Sequence, residues 1–249
     1  MSKVKILVGW SLIFLIGAVG SAFAKTNPKA QRHYEIGMKY REYDRVRAIS
    51  EFQKAVTLDP TFTEARFELG SMYIDNGQLD KALVELKIVK KNNPSHRRLH
   101  THFGLIYHRW GLIEWSRAIQ IDPVYIYKDD GKQVFYKKGT PPETIINQYK
   151  KEMEKDTSNA LAHYNLRGVY YDLAIESYLK AVAANPQDTL AHLSLGLSYL
   201  ERGKVDKANA QLKTLEKLSM EAANNLRQSV VYQEQQRQEF QEEQKTQTK

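Results

Sequence analysis

Two stretches of the chain place their apolar and small residues in the same order. From Thr63 the sequence reads TEARFELGSMYIDNGQLDKALVELKIVKKNNPSH, and from Thr189 it reads TLAHLSLGLSYLERGKVDKANAQLKTLEKLSM. Both carry Leu-Gly, an aromatic three residues on, a Gly four later and an Ala five after that: Leu69, Gly70, Tyr73, Gly77 and Ala82, then Leu195, Gly196, Tyr199, Gly203 and Ala208. Leu86 and Leu212 follow four residues after the alanines. Apolar residues recurring every three or four positions predict amphipathic helices. A glycine between two such runs predicts a helix end and a chain reversal. Gly70 and Gly196 are therefore expected where a first helix (A) approaches a second (B), with Ala82 and Ala208 as the small partners on B. Pro94 cannot continue helix B and separates one unit from the next.

Weaker copies of this pattern fill much of the chain. The segment from Ala30 to Phe62 has Gly37, Tyr40, Ala48, Phe52, Ala55 and Pro60, one residue short in its turn. Arg97 to Tyr125 has Phe103, Gly104, Tyr107 and Gly111, then passes directly to Trp115, Ala118 and Pro123. Ala160 to Asp188 has Arg167 where a Gly is expected, then Ala174, Tyr178, Ala181 and Pro186. Glu143 to Asn159 reads as a helix B alone, with Tyr149 at the large position and Thr157 in place of Pro.

Over roughly residues 30 to 222 this pattern resembles the tetratricopeptide repeat (TPR), a helix–turn–helix unit of about 34 residues. The resemblance implies an all-α solenoid. Its expected division is N-terminal units at 25–123, an insertion plus partial repeat at 124–159, C-terminal units at 160–222, and a capping helix with a polar Gln-rich tail at 223–249. The tail is expected to fray and then become disordered. The units at 97–125 and 160–188 each lack about five residues of the period. That loss, together with bulky Arg167, predicts weak A–B contacts and two lobes joined by an irregular middle between 97 and 188.

Two features stand outside the repeat. VYIYKDDGKQVFYKK, residues 124–138, alternates β-branched and aromatic residues about Asp130-Gly131 and predicts a β-hairpin. Asp129 and Asp130 fall at its turn, where Asp is favoured for conformational reasons rather than as an acid pair. Thr140, Pro141 and Glu143 then predict an N-cap, a proline at the first helical position and a capping-box glutamate.

By resemblance, the free face of each helix A lines a concave surface that binds a protein or peptide. Here that face offers Phe67, Ser71 and Ile74, then Arg98, Thr101, Leu105 and His108, and finally Leu193, Leu197 and Leu200. The Lys and Asn positions with which some members clamp acidic C-terminal peptides hold Phe, Ser, Thr and Leu, so that specificity does not carry over. The alternative is that these side chains pack on neighbouring helices. A basic patch is expected at Arg97, Arg98, His100 and Arg109. Together with the whole chain's net charge of +8, this patch favours an acidic protein partner. His96 and His100 at i,i+4 lack a carboxylate or thiolate companion, so no metal site is expected. The charge is too diffuse, and no binding fold is evident, for nucleic acid.

The chain has no cysteine, which excludes disulfides, thiolate metal sites and c-type haem attachment. No phosphate loop, nucleophile elbow or His-Glu metal motif occurs, so neither catalysis nor a cofactor is expected. Residues 1–24 have the three parts of a secretory signal: Lys3 and Lys5, an apolar run from Ile6 to Gly20, and Ala22-Phe23-Ala24. They predict a periplasmic protein, with an inner-membrane anchor, and membrane contact, only if the leader stays uncleaved. The function expected is an envelope adaptor. The competing readings are an accessory subunit of an envelope enzyme and a membrane-anchored assembly factor.

Overall fold

The computed structural model describes residues 26–122 and 139–247. Among these residues every element is helical: α1 (Pro28–Tyr40), α2 (Arg45–Leu58), α3 (Thr63–Asp75), α4 (Leu79–Asn92), α5 (Leu99–Ile121), α6 (Pro142–Lys155), α7 (Ala160–Ala184), α8 (Thr189–Glu201), α9 (Val205–Leu218) and α10 (Met220–Gln247). The leader at 1–24 and the expected hairpin at 124–138 lie outside the described residues.

The regular units turn where their glycines stand. Gly77 and Gly203 have φ of 72° and 64°, a region that L side chains disfavour. The N–H groups of Gln78 and Lys204 then donate to the Tyr73 and Tyr199 carbonyls, each at 2.8 Å, satisfying oxygens that the helix end would orphan. The starts of α2, α7 and α8 are capped by side chains. Asp44, Asn159 and Asp188 accept from the N–H groups of Arg47, Ala162 and Ala191 at 2.9, 2.9 and 3.0 Å. The start of α6 differs from expectation, since Pro141 is the N-cap with ψ of 135° and no side chain caps the helix. A residue that precedes a proline is kept out of the helical region, so Pro142, not Pro141, is the first helical residue.

The described residues of the expected irregular middle, 97–122 and 139–188, are mostly helical. α5 and α7 are unbroken helices of 23 and 25 residues. The missing residues are those of the turn, and without them helix A runs straight into helix B. Gly111, at the position where Gly77 and Gly203 reverse the chain, is buried inside α5. Leu112 and Ile113 follow it, and neither can cap a new helix.

The two long helices lie antiparallel and exchange halves. Gly104 of α5 packs against the ring of Tyr178 near the far end of α7, and Gly111 packs against Tyr171. Glu114 pairs with His163 at 2.6 Å, and Trp115 meets the Tyr164 ring at 6.2 Å. Each half of α5 thus takes its helical partner from the opposite unit of sequence.

These crossed pairs reproduce the contacts of the regular ones. Gly104 meets Tyr178 as Gly37 meets Phe52 and Gly70 meets Leu86. In the other crossed pair, Glu114 accepts from Arg117 at 2.9 Å while holding His163. The same trio links α1 and α2, where Glu51 holds His33 at 2.6 Å and accepts from Lys54 at 2.7 Å. Arg167 occupies the place of Gly37, and its guanidinium lies 4.3 Å from the Trp115 ring centre. Its bulk was expected to hold the helices apart, but the guanidinium stacks on a helix B ring.

The C-terminal end carries two further corrections. Gly196 has Leu226 of α10 as its nearest neighbour, not a residue of its own helix B. α10 buries Ala222, Ala223, Leu226 and Val230, and it remains helical through Gln247 where disorder was expected.

Candidate concave interaction surface

Three helices of type A, α3, the first half of α5 and α8, stand side by side and bring the expected concave residues into one seam. Much of that seam is closed. Phe67, Ser71, Ile74, Thr101 and Leu200 are at most 5% exposed. Phe67 is enclosed by the rings of His96 and His102, at 4.0 and 4.5 Å, with the Arg98 guanidinium 4.6 Å from its centre. Ser71 contacts His102 Nε2 at 3.3 Å, and His102 Nδ1 faces the Arg98 carbonyl at 2.9 Å. Thr101 donates to Asp188 Oδ2 at 2.9 Å, and His108 Nδ1 lies 2.9 Å from Ser198 Oγ. Leu105, His108, Leu193 and Leu197 keep part of their surface open.

The basic residues do not form one patch. Arg98 donates to Glu68 Oε1 at 2.5 Å, and Arg41 holds the other oxygen of that buried carboxylate at 3.0 Å. Arg109 donates to the Ile74 carbonyl at the end of α3. There it satisfies a C-terminal oxygen and complements the helix dipole. Arg167 does the same at the end of α8, on the Glu201 carbonyl at 2.9 Å. Arg97 is exposed, and half-buried His100 lies near Lys90 and Lys180.

Burial sets the charge state of the seam. His102 is pulled down from 6.5 to about 4, first by burial. His108 reaches about 4 for the same reason, with Arg109 adding to it. Both rings are neutral at neutral pH. His96 is also pulled down, by burial and then by Arg98. The positive charge of the seam is then that of Arg98, which Glu68 engages. No three His, Asp or Glu side chains converge as metal ligands among the described residues.

An open groove of about 420 Å³ continues the seam at its C-terminal end, between α8 and α10. Leu197 and Leu200 form one wall and Asn225, Gln228, Ser229 and Tyr232 the other. The sequence pattern named the first wall and missed the second. Asp188 and Ser198 were missed as well, because their partners lie 87 and 90 residues away and no local spacing announces them. Asp188→Ala removes both the α8 cap and the Thr101 bond. It is expected to cost about 1–2 kcal/mol in a denaturant titration, whereas Asp188→Asn keeps most of the cap.

The repeat profiles that match this chain agree with this architecture. Tetratricopeptide repeat profiles match residues 40–101 and 158–224, together just over half of the chain. A TPR repeat-containing protein of Methanocaldococcus jannaschii is 25% identical over 206 residues, covering 70% of this chain. The match spans 35% of that relative's length. Among solved structures, a thermophilic TPR protein of Thermus thermophilus is 20% identical and covers 82% of this chain and 98% of its own, with a TM-score of 0.41. A MamA protein is 24% identical, covering 76% of this chain and 92% of its own, with a TM-score of 0.33. No described helix is long and apolar enough to cross a membrane.

Proposed function

The chain belongs to the tetratricopeptide-repeat family, whose helix pairs build protein–protein interaction scaffolds, and we propose that it serves as a periplasmic adaptor within an envelope assembly. The single observation that carries the site is the continuity of the seam with the groove between α8 and α10. Leu197, Leu200 and Tyr232 offer apolar surface there, and Asn225, Gln228, Ser229 and Gln233 supply amide and hydroxyl groups for a peptide backbone. Export rests on the leader pattern of residues 1–24, and an acidic partner on the basic balance of residues 25–249, 35 Lys and Arg against 29 Asp and Glu.

Three experiments test this reading. Mass spectrometry of the exported protein is expected to show a chain beginning at Lys25. Full-length protein held in the membrane fraction would establish an anchor instead. An affinity pull-down from envelope extract is expected to recover a stoichiometric partner that Leu197→Glu abolishes. Turnover of a substrate by the isolated protein would replace the adaptor with an enzyme subunit.

A further inference from the structure

The crossed helices have a register that the regular repeats explain. Pro94 stands 34 residues after Pro60, and position 220 stands 34 after Pro186. Between Pro94 and Pro186 the same interval of 34 returns if residues 112–169, 58 in number, are taken out. Joined in this way, Gly111 is followed by Tyr170, Tyr171, Asp172, Leu173 and Ala174. Ala174 then falls fifth after the glycine, as Ala82 does after Gly77 and Ala208 after Gly203. Asp172 falls third, matching Asp80 and Asp206, and Tyr178 falls ninth, matching Leu86 and Leu212. The three-dimensional partners agree, because Gly104 already packs on Tyr178 as Gly70 packs on Leu86.

The excised part has its own interior. Ile145 and Tyr149 of α6 pack with Ala162, Leu166, Val169 and Tyr170 of α7 in a cluster that meets the neighbouring cores through Tyr107 and Trp110. Tyr107 and Trp110, just before Gly111, are partly buried side chains of α5 that pack against it. The second half of α5 closes the cluster's flank through Glu114 and His163, both buried. Arg167 ties the excised part to α8 through the Glu201 carbonyl.

We infer that α6 and the adjoining halves of α5 and α7, the described part of residues 112–169, form an arm inserted into the A–B turn of an ordinary repeat, and that the period of the solenoid is complete without it. The arm is itself a repeat read in the opposite order, with its helix B (the second half of α5) preceding its helix A (the first half of α7). Fusing the arm's helices to those of the host repeat gives α5 and α7 their length, and Gly111 and Tyr171 mark the seam between arm and host. The chain therefore presents two surfaces that can be altered independently, the concave seam and the arm.

Native-state hydrogen exchange on the full chain tests the inference without altering the sequence. In sub-denaturing guanidinium, amides of 112–121 and 142–169 are expected to open together. Those of 99–110 and 172–184 are expected to stay with the neighbouring repeats, so that each long helix divides at the seam. A variant lacking 112–169, with Gly111 joined to Tyr170, is expected to keep helical circular dichroism and a single cooperative melt. Gly104→Leu is expected to destabilise that variant as it does the full chain. Exchange in which α5 and α7 each open as one unit from end to end overturns the inference, whatever the deletion variant does.

Discussion

Gly104→Leu is expected to destabilise the protein by about 3 kcal/mol, seen as a melting temperature lower by roughly 5–10 °C. A Cβ at Gly104 would stand 2.4 Å from the Tyr178 ring, which is fully buried and cannot swing aside. Backbone effects alone would act in the opposite direction, because glycine inside a helix costs about 1 kcal/mol relative to alanine. The sign therefore reports the packing. The identity of the partner is tested by a double-mutant cycle. Gly104→Ala combined with Tyr178→Leu is expected to be less costly than the sum of the single changes by about 1 kcal/mol or more, since the methyl fills space the smaller side chain vacates. The same cycle with Trp115, the large helix B residue of Gly104's own stretch of sequence, is expected to show no coupling. Coupling to Trp115 in place of Tyr178 would refute the crossed pairing.

Acidification is expected to lower stability by about 2–4 kcal/mol between pH 6.5 and 4, or roughly 10 °C in melting temperature. His102 and His108 titrate at about 4 in the folded protein against 6.5 in the unfolded chain. Across that window the unfolded state binds protons that the folded state refuses. Stability is thus full above about pH 6.5 and falls as pH approaches 4. The carboxyls of Glu51 and Asp59 are also held below their ordinary values of 4.5 and 3.8, so they add to the loss only at the acid end of the window and beyond. The double variant His102→Gln, His108→Gln is expected to flatten most of the slope above pH 4.5. An unchanged slope would assign it to other groups.

The sequence by itself determined the local structure. The spacing of Leu69, Gly70, Tyr73, Gly77 and Ala82 requires a helix, a left-handed turn and a second helix, because each residue type acts within a few positions of itself. The capping end helix and the isolated helix B around Tyr149 were legible for the same reason. Which helices pair was not legible. The shortened units at 97 and 160 looked like weakened hairpins, since a missing turn is visible in sequence while its consequence is not. Once helix A cannot reverse, its small glycine face must be buried against some helix B, and only the folded chain supplies Tyr178 from a distant one. The state of the concave residues was likewise decided by tertiary structure. Phe67 and Thr101 carry the same pattern whether open or closed, and it is His96, His102 and Asp188, brought in from neighbouring elements, that close over them. Helical spacing is a property of one element, whereas burial depends on which elements meet.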